Sequence, residues 1–186
     1  MTPLRAAARV ALPWKNGGGV TRDVWVWPQG AGMETFQARV SLADVAGDGP
    51  FSLFPGIDRT TAILSGAGFE LAVDGMPLAR LTPETEPFSY PGDRAAASTL
   101  IDGPVTDLNL MTRRGAMRHG LRRIDLVVPD TLACGGMSLL LVATGTVRIA
   151  GQTFGPLDAA VSETPAIWAV EPLGKAALWI AEFHAI

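Results

Sequence analysis

The sequence has few of the residues from which metalloproteins and many enzymes build their sites. It contains one cysteine, Cys134, and two histidines, His119 and His184. A single cysteine cannot form an intramolecular disulfide, which favours a reducing compartment. Two distant histidines cannot supply the three or four ligands of a typical zinc or iron site. We therefore expect a metal-free protein without a cofactor, and we assign no catalytic residue.

Net positive charge and long apolar segments are also lacking. The formal net charge is −3 and the isoelectric point is near 5.3, which provides no global attraction to nucleic acid or anionic lipid. No apolar run approaches the ~20 residues that cross a bilayer. Arg5 and Arg9 interrupt the apolar N-terminal residues, so no signal-peptide core is predicted. We expect a cytoplasmic protein whose partners include neither nucleic acid nor membrane.

The chain does have many short apolar segments, which its 21 glycines and 14 prolines separate. Short strands at this spacing predict an all-β sandwich or barrel. A weak internal repeat, in which residues 63–75 resemble residues 141–151, predicts two similar barrels in one chain. The arginine-rich segment 113–123 would join them as a solvated linker, because it lacks the interleaved aromatic residues of a nucleic-acid surface.

The most informative segment is P-W-K-N-G-G-G-V-T-R-D, from Pro13 to Asp23. Glycine tolerates a positive φ and lets the backbone approach a bound group closely. The segment is not a phosphate-binding P-loop, because Lys15 precedes the glycines and a strand pattern follows them. A flexible turn is the alternative. We favour a backbone shaped around a ligand, because Lys15 is one of two lysines in the chain, against thirteen arginines.

Three further places carry polar residues in unexpected surroundings. Arg59 follows a Pro-Gly turn, where it could bind a carboxylate bidentately or pair with Asp58 to fix the turn. Strand alternation puts Arg39 and Ser41 on one face, which is either solvent-exposed or the lining of a barrel mouth. Asn109 lies between apolar neighbours, so its amide is either tied to the backbone or offered to a ligand.

Four sequence blocks then carry a resemblance to the HutD/Ves family. They are W-K-N-G-G-G with a Thr-Arg-acid tail, F-S-x-F-P-G-x-D-R, G-D and N-x-M-x-R. In this sequence they occupy Trp14 to Asp23, Phe51 to Arg59, Gly92-Asp93, and Asn109 to Arg113. They cover roughly the first two thirds of the chain, in the order typical of the family. The tail departs from the pattern, since Asp23 stands where the family commonly has Glu.

The resemblance implies an all-β bicupin, with an N-terminal cupin barrel and ligand pocket at residues 1–115. A C-terminal cupin-like barrel would follow at residues 116–186, packed with the first as one compact unit. It also implies an association with histidine utilisation. There the family is linked to regulation and to a formylglutamate-like intermediate, and its Ves branch is linked to stress response.

We therefore predict that the N-terminal barrel binds a small anionic metabolite. Lys15 and Arg59 would neutralise carboxylates, Asn16 and Asn109 would orient amide or formyl groups, and Trp14 would wall the pocket. The other predicted ligand-binding residues are Gly17, Gly18, Thr21, Arg22, Arg39, Ser41, Asp58, Asp93 and Arg113.

Two other functions remain open at this point. One is a metal-independent isomerase or hydrolase that uses Lys15 or Asp93 as its base. The other is a protein-binding stress-response regulator. A homodimer is also left open.

Overall fold

The computed structural model describes residues 1–14 and 17–186, so the predicted site residues Lys15 and Asn16 lie outside the described residues. Within those ranges the chain is almost entirely β-strand, with a single turn of 3-10 helix at Ala6–Ala8. The all-β prediction is confirmed. Among the described residues, no helix has the length and apolar character needed to cross a membrane.

The strands are numbered in chain order. The first eleven are β1 (Thr2–Leu4), β2 (Leu12–Pro13), β3 (Gly19–Trp27), β4 (Ala38–Val45), β5 (Gly49–Pro50), β6 (Ile57–Ser65), β7 (Phe69–Val73), β8 (Ala79–Leu81), β9 (Phe88–Pro91), β10 (Ala96–Leu100) and β11 (Val105–Arg113). The others are β12 (Met117–Leu126), β13 (Asp130–Cys134), β14 (Met137–Thr144), β15 (Val147–Ile149), β16 (Gln152–Phe154), β17 (Ala159–Ser162), β18 (Ala166–Pro172) and β19 (Ala176–Ala185).

The described chain divides into two compact units. The N-terminal unit comprises Val10–Arg118 together with Ile186, and the C-terminal unit comprises Met1–Arg9 and His119–Ala185. The first residues join the C-terminal unit because β1 pairs antiparallel with β17. The domain boundary between residues 115 and 116 stays a prediction.

Each unit contains a larger and a four-stranded sheet. In the N-terminal unit the strand orders are β2-β3-β4-β11-β6-β9 and β5-β10-β7-β8. In the C-terminal unit they are β1-β17-β14-β19-β12 and β13-β18-β15-β16. The order β4-β11-β6-β9 therefore matches β12-β19-β14-β17, and the two smaller sheets match strand for strand. This match is the structural counterpart of the sequence repeat.

Two glycines show why the repeat is visible in the sequence. Gly66 follows β6 with φ +90° and Gly145 follows β14 with φ +78°, a left-handed conformation that favours glycine. A Cβ at Gly66 would lie 2.5 Å from the carbonyl oxygen of Pro104, and one at Gly145 would collide with the carbonyl of Lys175. Each glycine thus lets its turn pass against the start of the equivalent strand, β11 or β19.

The cores of the two units differ in composition. The main core of the C-terminal unit is mostly aliphatic and aromatic, and it includes Leu140, Val142, Leu178 and Ile180. In the N-terminal unit both faces of β4 and β11 are buried. Apolar residues such as Leu108 occupy one face, whereas polar side chains lie on the other.

Candidate functional site

Buried polar side chains form a patch on one face of the six-stranded sheet in the N-terminal unit. The registers of β4, β11 and β6 align Ser41, Asn109 and Thr61 in one row, and Arg39, Met111 and Arg59 in the next. Directly paired residues on neighbouring strands point to the same side of a sheet. We call this surface the polar face, which comprises Arg39, Ser41, Arg59, Thr61, Asp107 and Asn109, each no more than 6% exposed.

Aromatic rings surround Arg59. Its guanidinium carbon lies 5.4 Å from the ring centroids of Phe51 and Phe54, and 5.1 Å from that of Tyr90. These distances are in the range of cation–π attraction, which strengthens when the cation is shielded from water. Gly92 completes the enclosure, since a Cβ there would lie 3.2 Å from Arg59 Cδ. The F-S-x-F-P-G-x-D-R and G-D blocks therefore meet around one side chain.

The hydrogen bonds of Arg59 leave part of its fork unused. Its Nη2 donates to Asn109 Oδ1 at 3.0 Å, and its Nη1 lies 3.5 Å from the main-chain oxygen of Ser52. Its Nε is buried and has no hydrogen-bond partner within residues 1–14 and 17–186. Over the same ranges no carboxylate forms a salt bridge with Arg59. The alternative pairing of Arg59 with Asp58 is thus absent from the described contacts.

Asn109 links Arg59 to a buried carboxyl group. Its Oδ1 also accepts a hydrogen bond from Thr61 Oγ1 at 2.9 Å, and its Nδ2 donates to Asp107 Oδ1. Burial raises the pKa of Asp107 to about 7, although the positive charge of Arg59 and the Asn109 hydrogen bond oppose the shift. The amide of Asn109 is therefore tied to side chains, an outcome that neither of its two sequence-based alternatives named.

Arg39 is the second buried cation of the polar face. Its Nη2 lies 2.6 Å from Asp23 Oδ1, an ion pair rather than a well-directed hydrogen bond, and its Nη1 contacts Met111 Sδ at 3.8 Å. The Arg39 side chain is 7% exposed and that of Asp23 is 38% exposed. This pair extends the polar face towards solvent along β3.

The glycine-rich segment positions Trp14 at the edge of the same sheet. Trp14 Nε1 donates to Thr21 Oγ1 at 2.7 Å, and Thr21 shares its face with Asp23 on β3. The indole packs over buried Gly19, where a Cβ would lie 3.1 Å from the ring and 2.5 Å from the Asp44 carbonyl oxygen. Position 19 therefore has no room for a side chain larger than that of glycine.

Gly17 and Gly18 have different local contacts. Gly17 has φ +72° and its N–H donates to the Trp14 carbonyl oxygen at 3.1 Å, so it is required by conformation. The Gly18 carbonyl oxygen accepts a hydrogen bond from the Ala46 N–H at 2.9 Å. The predicted need for glycine is thus explained at Gly17 by the backbone and at Gly19 by the neighbouring ring.

Arg22 does not lie on the polar face. It pairs with Leu42 in the register, which puts it on the opposite side of the sheet from Asp23 and Ser41. There it forms an ion pair with Asp44, whose Oδ1 also accepts a hydrogen bond from Thr106 Oγ1 at 3.0 Å. The contacts of Arg22 are therefore those of a structural residue.

Asp58 and Asp93 are bound by an arginine that the sequence analysis did not single out. Arg114 lies 2.8 Å from Asp58 Oδ1 and 2.9 Å from Asp93 Oδ2, and all three side chains are roughly half exposed. The hydrogen bond from Arg114 lowers the pKa of Asp93, which argues against Asp93 as a general base. The signal for Arg114 was indirect: Asp93 had no assigned cation, and the cation offered for Asp58 was its chain neighbour Arg59.

Arg113 anchors the segment before β4. Its Nε donates to the Phe36 carbonyl oxygen at 3.1 Å, and its Nη2 donates to that of Glu34 at 2.8 Å. Its guanidinium also lies 5.8 Å from the Phe36 ring centroid. These contacts occupy the side chain in holding the loop, so the structure assigns Arg113 to scaffolding.

The structure thus brings together Trp14, Thr21, Arg39, Ser41, Arg59 and Asn109 on one side of the sheet. It adds Thr61, Tyr90 and Asp107, which sequence reasoning did not choose, although strand alternation places Asp107 on the face of Asn109. Among the described residues no group of three or more His, Cys, Asp or Glu side chains is arranged to hold a metal ion. The site therefore contains buried guanidinium groups next to a titratable carboxyl group.

Comparison with known proteins places this chain in a family. The HutD family model matches residues 6–180. An uncharacterised 21.2 kDa protein in the hutC 3′ region of Pseudomonas putida is 38% identical over 122 residues, which cover 66% of this chain and 63% of that protein. Protein Ves of Citrobacter koseri is 33% identical over 130 residues, 69% of this chain and 66% of that protein. The chain thus spans just under two thirds of the length of these two relatives.

Solved structures extend the likeness over the whole chain. A conserved protein of unknown function from Pseudomonas aeruginosa PAO1 has a TM-score of 0.88 at 28% identity, covering 98% of this chain and 97% of that one. HutD from Pseudomonas fluorescens SBW25 has a TM-score of 0.82 at 29% identity, covering 98% of both. A cupin 2 barrel protein from Leptotrichia buccalis, at 11% identity and a TM-score of 0.61, shows a cupin-like fold alone; it covers 98% of this chain and 96% of its own. The chain belongs to the HutD family, with Ves proteins among its relatives.

Proposed function

We propose that the protein is a metal-free bicupin that binds a small carboxylate on the polar face and thereby regulates histidine or amino-acid catabolism. The observation that carries this proposal is Arg59, a buried guanidinium that no described carboxylate pairs with directly. Burying a charge costs free energy unless the charge is compensated. An anionic ligand would supply that compensation.

The geometry of Arg59 suits an anion that can accept two parallel hydrogen bonds, such as a carboxylate. Guanidinium presents parallel N–H groups that match the two oxygens of a carboxylate. Nε has no described partner, and Nη2, which faces the same side, carries two N–H groups against the one contact with Asn109. The three surrounding rings hold the fork in one orientation. In this proposal Asn109 acts by orienting Arg59 rather than by touching the ligand.

A second buried guanidinium, that of Arg39, lies on the same face and supports a ligand with a further polar group, although Asp23 already offsets its charge. Arg39 and Arg59 flank Met111 on adjacent strands, so their backbones are roughly 10 Å apart at about 4.8 Å per strand. A formylglutamate-like metabolite has a carboxylate at each end of its carbon chain. Lys15 and Asn16 stay in the proposal as additional ligand contacts, although they lie outside the described residues.

The relatives support the metabolic setting. One lies in a hutC 3′ region and another is named HutD, which links the family to histidine utilisation. We propose the same setting for this protein. The HutD of Pseudomonas fluorescens was studied in a formate condition, and formate is the smallest carboxylate with which the site can be probed.

A metal-independent isomerase or hydrolase is a second candidate, which one observation favours. Asp107 has a pKa near neutrality, the property expected of a general acid or base. Its side chain is 1% exposed and hydrogen-bonded to Asn109, however, which limits direct contact with a substrate. Binding without turnover is therefore the function that the geometry supports best.

Calorimetric titration of Arg59→Lys tests the proposal. The probes are formate, glutamate and N-formylglutamate, and the matched control is Arg148→Lys, an exposed arginine paired with Glu171 in the C-terminal unit. Lysine keeps the charge but loses the fork, so we expect a loss of about 1.5–3 kcal/mol, roughly 10- to 150-fold in affinity. The control should bind as the parent does.

Two outcomes would overturn the proposed function. One is the absence of binding of all three probes to the parent protein at millimolar concentration. The other is equal affinity of the parent and Arg59→Lys, which would assign Arg59 to packing alone. Consumption of N-formylglutamate during the titration would instead select the enzymatic candidate.

A further inference from the structure

We propose that a carboxylate bound at Arg59 is bound together with a proton, which Asp107 holds. The inference rests on the proposed function and adds a property that the function does not require. Asp107 would act as a positioning residue that sets the charge of the site. It would not touch the ligand.

The hydrogen bonds of the polar face give Asp107 a fixed connection to Arg59. The oxygen of the Asn109 amide accepts from both Arg59 and Thr61, at 3.0 Å and 2.9 Å. The amide nitrogen must therefore point away from them, and it donates to Asp107. Asp107 is 1% exposed, so little water is in contact with its carboxyl to offset a change in charge.

Counting charges shows what a bound anion would change. Arg39 and Asp23 form an ion pair and cancel, which leaves Arg59 and Asp107. With Asp107 ionised, the described part of the polar face is neutral. With Asp107 protonated, it carries one surplus positive charge. A ligand carboxylate and the Asp107 carboxylate therefore compete for the same guanidinium.

The other groups that face Asp107 do not remove this competition. Tyr90 on β9 is neutral, because burial raises its pKa above the ordinary value. Asp44 on β4 also raises the pKa of Asp107, and it is itself bound by Arg22 and Thr106. On β6 the paired neighbour is Ile63, which is apolar and buried. Arg59 is thus the described charge that favours ionised Asp107.

The direction of the linkage follows from these charges. Burial raises the pKa of Asp107 to about 7, and Arg59 restrains the rise. A bound carboxylate would offset the charge of Arg59 and raise that pKa further. Above about pH 7 the free protein has lost the proton, so binding must restore it and affinity falls by up to about tenfold per pH unit. Well below about pH 7 the proton is already present and affinity is independent of pH.

Calorimetry in buffers of different ionisation enthalpy measures the proton directly. With formate and N-formylglutamate as probes, we expect binding to take up nearly one proton at about pH 8 and almost none at about pH 5.5. Asp107→Asn keeps an oxygen that accepts from Asn109 and cannot titrate, so its affinity should not vary between these pH values. Binding to the parent without proton uptake near about pH 8 would overturn the inference and leave the proposed function intact.

A second measurement keeps the inference testable if the variant does not fold. The carboxyl carbon of Asp107 can be followed by NMR in the parent protein as the pH changes. We expect a midpoint near neutrality in the free protein and a higher one with saturating formate. A midpoint in the ordinary range for aspartate, or one that saturating formate leaves unchanged, would overturn the inference. If neither probe binds, the proposed function fails and the inference fails with it.

Discussion

The same pair of strands is polar in one unit and apolar in the other. In the N-terminal unit β11 and β6 pair with a register shift next to Asp107, which lies opposite Ile63. In the C-terminal unit β19 and β14 pair with a register shift at the equivalent place, where Leu178 lies opposite Val142. Aligning the two units at this irregularity puts a leucine in the position of the buried carboxyl.

The next position along the strands shows the same contrast. Asn109 lies opposite Thr61 in the N-terminal unit, whereas Ile180 lies opposite Leu140 in the C-terminal unit. One further step places Ser138 where the first unit has Arg59. Ser138 accepts a hydrogen bond from the buried Trp168 Nε1 at 2.9 Å, so its hydroxyl is part of the packing.

This difference separates what the fold needs from what a site needs. The C-terminal unit shows that this strand arrangement can be filled with hydrophobic side chains. Buried asparagine and aspartate at the positions of Ile180 and Leu178 are therefore not required by the fold, and their desolvation opposes stability. Local violations of good packing are expected at functional sites. The comparison therefore identifies the polar face more sharply than either unit does alone.

The most demanding test transfers one polar residue between the units. Ile180→Asn puts the amide of Asn109 into the C-terminal core, where the paired residue is Leu140 instead of a hydrogen-bonding threonine. The lost burial and the unpaired amide together should reduce the free energy of unfolding by on the order of 3–5 kcal/mol. Urea denaturation measures the loss.

Ile180→Val is the control, because it shortens the same side chain without adding polarity. It should cost about 0.5–1.5 kcal/mol. If Ile180→Asn were no worse than this control, the C-terminal core would tolerate polar groups. The contrast between the units would then carry no information about function.

A second test concerns β2 and β3, for which the C-terminal unit has no equivalent beyond β12. A Cβ at Gly19 would collide with the Asp44 carbonyl and press on the Trp14 ring. Gly19→Ala should therefore cost about 1–3 kcal/mol of unfolding free energy and weaken formate binding by displacing Trp14. Gly32→Ala is the matched control, since nothing lies within 4 Å of a Cβ there. Equal melting temperatures for the two variants would contradict the close approach of Trp14.

The all-β fold could be predicted from the sequence because the patterns that indicate strands and turns are local. Alternation assigned strand faces, and glycines such as Gly66 and Gly145 marked the turns. The same alternation separates Asp58 from Arg59, since consecutive residues point to opposite faces. The two alternatives for Arg59 were left open by the sequence, and this alternation argues against its pairing with Asp58. The sequence contained no pattern that predicts the pairing of residues 2–4 with β17, because packing determines which strands so distant in the chain pair.

The sequence did not predict which residues of the site are buried. Arg39 and Ser41 share a face in either reading, but whether that face meets solvent depends on strands contributed from elsewhere in the chain. The raised pKa of Asp107 likewise arises from burial among residues that β4, β6 and β11 bring together. Arg114 was missed for the same reason, since its carboxylate partners lie 56 and 21 residues away along the chain.

The smallest expected effect is that of replacing an exposed arginine, in contrast to the buried Arg59. Arg114 directly follows the N-x-M-x-R block and binds both Asp58 and Asp93, and all three side chains are roughly half exposed. Exposed ion pairs contribute little to stability, because solvent screens them and long side chains lose entropy on pairing. Arg114→Gln should therefore leave the melting temperature almost unchanged, as should Arg148→Gln in the C-terminal unit.

The same variant also tests where the binding site ends. Asp58 points to the opposite side of β6 from Arg59, so releasing it from Arg114 should not disturb the guanidinium or its aromatic neighbours. Formate and N-formylglutamate should bind Arg114→Gln with the affinity of the parent, in the same titrations that show the loss in Arg59→Lys. A comparable loss in Arg114→Gln would mean that the exposed cluster belongs to the site. The boundary between the polar face and the rest of the N-terminal unit would then have to be redrawn to include Asp58 and Asp93.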